Sequence, residues 1–191
     1  LNVIAYSKRD QPDAVSPTAW MTVGSADKKV LRVVPLRSSM LIMKEDGFWR
    51  LTGTSPADFS IYQVDTTARL VAPRSIAVLR GACICLTTAG VVAVTETGVQ
   101  LVSGDIADRF DAVLAPALID TTRALAVGQA YETDATYIIW LPSNTTDTVA
   151  TQALVWCMAN GQWTERTDGY RATMFRDADQ RLWGVRGDSI Y

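Results

Sequence analysis

Residues 75–103 read SIAVLRGACICLTTAGVVAVTETGVQLVS. Short β-branched runs, Ser75–Leu79, Cys83–Thr87, Val91–Glu96 and Val99–Ser103, are separated by tight turn pairs such as Ala89-Gly90 and Thr97-Gly98. Side chains of a strand alternate between its two faces, so alternation broken by glycine-bearing turns predicts four antiparallel strands joined by hairpins. The run 82–86 is apolar on both faces, which suits a strand covered from both sides.

The same unit recurs on either side. Before it lie Val30–Leu36, Met40–Lys44, Phe48–Thr52 and Phe59–Val64, with a turn at Asp46-Gly47. After it come Ala124–Glu132, Thr136–Leu141, Ala153–Met158 and Gln162–Arg166, with a turn at Asn160-Gly161. A fourth unit starts at Tyr170, runs through Ala172–Arg176, Arg181–Val185 and the Gly187-Asp188 turn, and breaks off at Tyr191 in what should be its third strand. First strands near positions 30, 75, 124 and 170 give a period of roughly 45–49 residues. Four-stranded meanders at that spacing are the signature of β-propeller blades, because a lone meander cannot bury both faces and needs neighbours.

The expected fold is therefore all-β: one partial β-propeller over residues 1–191, with blades near 30–64, 75–103, 124–166 and 170–191. A plain β-sandwich is the competing arrangement. The chain opens on Leu1 and stops inside the fourth unit, which points to a processed or excised piece of a larger propeller. The alternative is that Asn2–Tyr6 supplies the missing strand and closes a small ring.

Two segments interrupt the period. Residues 7–29 carry Lys8, Arg9, Asp10, Ser16-Pro17 and Lys28-Lys29, and read as a long, extended, exposed connection. Residues 104–122 place Ile106, Phe110, Val113, Leu114, Ala117 and Leu118 at spacings of three and four. This predicts a short helical insert packed on the strands, with Asp105 as cap and Pro116 as breaker.

Composition removes whole classes of chemistry. Histidine is absent from all 191 residues, so Ser-His-Asp and Cys-His catalysis, imidazole metal sites and a histidine pH switch are excluded. With 18 basic and 20 acidic residues the net charge is −2, which gives no general reason to bind nucleic acid or an anionic membrane. No apolar run approaches the eighteen or so residues of a spanning helix, and no signal-peptide pattern is present at the start. Cys83 and Cys85 share a strand face at a spacing poor for a disulfide. With Cys157, they read as small buried hydrophobes.

Candidate chemistry is sparse. Asp177 and Asp179 would share one face if extended, but they fall in a turn position where aspartate is routine. Asn144-Thr145-Thr146 fits the glycosylation pattern and reads as a polar hairpin tip. Lys8-Arg9 and Lys28-Lys29 read as solvated loop charges. Trp49, Trp140, Trp156, Trp163 and Trp183 all fall in strands, where core or blade-interface packing accounts for most of them. No residue is singled out as catalytic, cofactor-binding or metal-binding, and no cofactor is expected. The reading is a binding or structural module rather than an enzyme.

Three stretches carry a family resemblance. Tyr6-Ser7 followed by Gln11-Pro12-Asp13-Ala14 is similar to a segment in which an aromatic-Ser pair precedes a Pro-acid-aromatic step, with Val15 standing where an aromatic is usual. Residues 41–53, LIMKEDGFWRLTG, resemble a strand-turn-strand that ends on an aromatic and then Leu-Thr-Gly. Residues 153–158, ALVWCM, precede Gly161-Gln162-Trp163 and then Arg181-Leu182-Trp183-Gly184. Together these resemble the propeller-forming proteins of short-tailed bacteriophage tails: tail nozzle (tail tubular) proteins and the related head-closure or stabilisation proteins.

The resemblance implies a structural virion component of the tail, assembled in the host bacterial cytoplasm and without catalytic activity. It implies a homo-oligomer, a hexameric ring beneath the portal and adaptor, that holds tail fibre or needle proteins. Genomic DNA would pass through the channel without sequence-specific binding, and no membrane is involved. A reading of a different class is a carbohydrate-binding or glycan-processing β-propeller, in which Glu132, Asp134 and Asp168 are the candidate acid/base carboxylates beside exposed aromatics.

Overall fold

The computed structural model describes residues 2–166, 170, 172–176, 181–186 and 189–190. The chain is all-β apart from two short helices, and it divides into two compact units, Leu1–Arg69 and Leu70–Tyr191.

In the first unit β1 (Val3–Ala5) pairs antiparallel with β2 (Trp20–Thr22), with Ile4 opposite Met21. Then β3 (Val30–Pro35), β4 (Met40–Lys44), β5 (Gly47–Thr52) and β6 (Ser60–Asp65) form a meander in chain order. The middle of that sheet is covered on both faces: Leu41, Ile42, Met43 and Phe48 are all fully buried. The β4–β5 loop is the pair Glu45-Asp46, and Gly47 begins the returning strand at φ +130°. A Cβ on Gly47 would overlap the Asp65 carbonyl oxygen, so both the turn and the return of β6 require glycine there.

This unit corrects one expectation. The polar stretch 7–29 is not one extended connection, since Trp20–Thr22 forms a strand within it and Lys8 bridges back to Gln11. Among the described residues, Val3–Ala5 pairs with Trp20–Thr22 in a two-stranded sheet.

In the second unit β7 (Ala77–Leu79), β8 (Ala82–Thr87), β9 (Gly90–Thr95) and β10 (Gly98–Leu101) form the second meander. The third is β11 (Val127–Tyr131), β12 (Thr136–Leu141), β13 (Gln152–Cys157) and β14 (Trp163–Arg166). The fourth sheet has three strands, β15 (Ala172–Arg176), β16 (Arg181–Arg186) and β17 (Ser189–Ile190). Every residue of β8 is buried, whereas Thr164, Glu165 and Arg166 of β14 are exposed. Strand β11 lies against β7 and also against β15.

The contact between the second and third sheets is close and polar. Ser75, expected to open a strand, instead closes a 3₁₀ turn over Pro73–Ser75 and is fully buried. Its hydroxyl donates to the Ala72 carbonyl at 2.7 Å and accepts from the Leu86 amide at 2.9 Å. Tyr137 Oη, on β12, donates to the Ser75 carbonyl at 2.6 Å. Gly128 of β11 sits against that same carbonyl, and a Cβ there would overlap both it and Tyr137 Oη.

The insert between the second and third meanders is longer than expected and is two helices. A 3₁₀ turn over Gly104–Ile106 leads into α1 (Ala107–Leu114), and α2 follows at Ile119–Leu125. Pro116 lies in the break, as its missing N–H and fixed φ dictate. Asp105 falls inside the 3₁₀ turn and does not cap α1, whose N-cap position is Ile106 with no side-chain cap bond. Ala124 and Leu125 complete α2, so β11 begins at Val127 rather than at 124. Phe110, Val113 and Leu118 turn into the core shared with β8, β9 and β12, and Thr122 Oγ1 donates to the Val113 carbonyl at 2.8 Å.

Candidate functional site

The third sheet has two faces of different character. Tyr137, Trp156 and Trp163 lie side by side on one face. There Phe110 meets Trp163 edge-on at 5.5 Å, and Trp163 Nε1 donates to the Val102 carbonyl at 2.8 Å. Ile138, Val155 and Thr164 form the matching row on the other face. Part of that second face is filled: Trp140 is fully buried and meets the Tyr170 ring edge-on at 5.7 Å, with Leu182 packed alongside.

The rest of the second face is open. A cleft of about 590 Å³ lies between it and β16. Its apolar lining is Ile138, Val155 and Leu182. Aromatic surface comes from Tyr131 and Trp183, hydroxyls from Thr136 and Thr164, and charge from Asp134, Arg166 and Arg181. Both guanidinium-bearing residues are exposed, as is Asp134 in the β11–β12 turn. The indole Nε1 of Trp183 is buried and has no hydrogen-bond acceptor among the described residues. Volume and mixed lining are those of a small-ligand site: an apolar floor with a few convergent polar groups.

Of the carboxylates considered for acid/base work, the two described ones, Glu132 and Asp134, do not gather here as a pair. Asp134 lines the cleft, while Glu132 Oε1 accepts from the Arg80 amide at 3.3 Å, beside the β7–β8 turn. Asp168, Asp177, Asp179, the Gly187-Asp188 turn and Tyr191 lie outside the described residues. Among the described residues, no three Asp, Glu, Cys or His side chains group as metal ligands.

The remaining sequence candidates are spread over the surface and the core. Asn144 sits in the β12–β13 loop, where its amide donates to Asp147 Oδ2 at 2.9 Å, joined by the Ser143 amide at 2.7 Å. Burial raises the Asp147 carboxyl, and these two amides outweigh it and hold the group below its ordinary range. Arg9 is 3.8 Å from Asp10 and Lys28 is 3.7 Å from Asp27, so each basic pair has an acidic neighbour at the surface. Cys83 and Cys85 are fully buried, and burial pushes the Cys83 thiol up to about 12 and Cys85 well above its ordinary value. Thiols in that state are neutral and unreactive.

Two features were not singled out from the sequence. Trp183 belongs to the cleft rather than to core packing. Its signal was present in Arg181-Leu182-Trp183, an aromatic beside an arginine. The other is Lys44, which is fully buried and donates to the carbonyls of Val23 at 2.8 Å and Ser25 at 3.2 Å. Asp46 is 3.6 Å away, and the ammonium lies 5.3 Å from the centroid of the Trp49 ring. A lysine at a strand end reads as a solvated charge, so nothing local announces this burial.

No family model matches the chain, and no curated protein is significantly similar to it.

Proposed function

We propose that the chain is part of a β-propeller that serves as a structural component of a bacteriophage tail. In this reading it is a nozzle or head-to-tail stabilisation protein forming a ring around the DNA exit channel. The observation that carries the proposal is the run of four-stranded meanders, in which β11 touches the first strand of the sheet before it and of the sheet after it. Blades arranged around an axis bring their first strands together in that way. Strands buried on both faces, β8 above all, suit sheets stacked between neighbours.

The polar demands of this role are modest. A wall around DNA must not hold phosphates, and a chain of net charge −2 repels them weakly and lets the duplex slide. Ring closure through identical interfaces would join copies of the chain, six in the reading adopted here, with portal, adaptor and fibre or needle proteins as neighbours in the virion. Size-exclusion chromatography with multi-angle scattering, with and without a portal–adaptor complex, tests this. A ring-sized oligomer that binds the complex is expected, and a stable monomer that ignores it would overturn the proposal.

A further inference from the structure

We propose that the cleft between the third sheet and β16 is a binding site for an acidic saccharide, a sugar ring that bears a carboxylate. The inference stands on this cleft alone and is independent of the ring reading.

Each part of the lining meets one feature of such a ligand. Trp183 and Tyr131 offer flat apolar surface with a polar edge, which suits the C–H face of a pyranose. Arg166 and Arg181 present planar forks of N–H donors, the geometry that recognises a carboxylate by paired hydrogen bonds. Thr136, Thr164 and Asp134 supply the short donors and acceptors that sugar hydroxyls need. Among the described lining residues, Arg166 and Arg181 are the cations and Asp134 the anion, although the chain as a whole is net negative.

At about 590 Å³ the space holds one or two sugar rings. Asp134 is the one carboxylate among the described lining residues.

Calorimetric titration of the full chain with three probes tests this: a glucuronate-terminated disaccharide, its neutral glucose-terminated counterpart, and a nucleoside monophosphate. The acidic disaccharide is expected to bind about tenfold tighter than the neutral one, the worth of one charge-assisted hydrogen bond. Arg166→Gln and Arg181→Gln change exposed side chains, and each should erase most of that preference while leaving the thermal unfolding curve in place. Trp183→Phe shrinks the indole to a phenyl ring, reduces the flat surface and should weaken both sugars severalfold. Equal affinity for the two disaccharides, no binding of the acidic one, or unchanged acidic affinity in the Arg166→Gln/Arg181→Gln double variant would each overturn the proposal. Tighter binding of the nucleotide than of the acidic sugar would overturn the saccharide assignment.

Discussion

The two units bury their polar anchors by opposite means. In the first, a charge is taken inside: the Lys44 ammonium holds the Val23 and Ser25 carbonyls, with Asp46 and the Trp49 ring as its counterweights. In the second, everything is neutral: Tyr137 and Ser75 pass hydrogen bonds between β12, the 3₁₀ turn and β8. Both devices fix a loop to a sheet whose middle strands have no water on either face. The neutral chain leaves no charge to desolvate, so it tolerates full burial. The buried lysine is held by four groups, the Val23 and Ser25 carbonyls, Asp46 and the Trp49 ring, and losing one of them disturbs the whole set.

Removing the charge should therefore have the largest effect. Lys44→Ala strands the buried Val23 carbonyl, frees the part-buried Ser25 carbonyl, leaves Asp46 without its partner, and is expected to cost about 3–5 kcal/mol, as for other buried pairs broken on one side. Native-state hydrogen exchange would register this as lost protection at Val23, whose amide bonds to the Asn2 carbonyl, and along β4 and β5. Gly128→Ala comes next. Its Cβ meets the Ser75 backbone as well as Tyr137 Oη, so about 1–3 kcal/mol of overpacking strain is expected in denaturant unfolding. Tyr137→Phe keeps the ring and orphans the Ser75 carbonyl, for about 1–2 kcal/mol by the same assay. If Tyr137→Phe proved costlier than Lys44→Ala, the contrast between charged and neutral anchors would be inverted.

The smallest effect is at a loop outside both anchors. Asp58 accepts from the Thr54 amide at 3.1 Å and the Ser55 amide at 2.6 Å, and these bonds hold its carboxyl at about 2 against an ordinary 3.8. A carboxylate with a depressed folded-state pKa contributes stability that is complete above the unfolded value and fades as pH falls through the folded one. The 54–58 loop should thus stay intact down to about pH 4 and loosen toward pH 2. Carboxyl-carbon NMR shifts of Asp58 would give the midpoint, and a midpoint near the ordinary value would refute the amide bonding.

Much of the fold was legible because a strand's code is local. The period-two runs and glycine turns placed Met40–Lys44, Thr136–Leu141 and Ala172–Arg176 to the residue, and the other meander strands to within a few. What escaped depends on partners distant in sequence. Trp20–Thr22 is three residues long and becomes a strand only through Val3–Ala5. Ser75 has strand-like neighbours, but its hydroxyl is claimed by Ala72 and Leu86, which bends it into a turn. Ala124 and Leu125 suit helix or strand equally, and the preceding turn of α2 decided for helix. The cleft was out of reach altogether, since its lining comes from five strands and joins Tyr131 and Asp134 to Arg181 and Trp183, far away in sequence.

The paired thiols of β8 have a practical consequence. Cys83 and Cys85 are shut away in the centre of the second sheet, while Cys157 is only half-buried at the end of β13. A thiol-specific reagent therefore acts on this chain as a stopwatch. Under native conditions Cys157 should label first, and later modification of Cys83 and Cys85 would time how often that sheet opens to water.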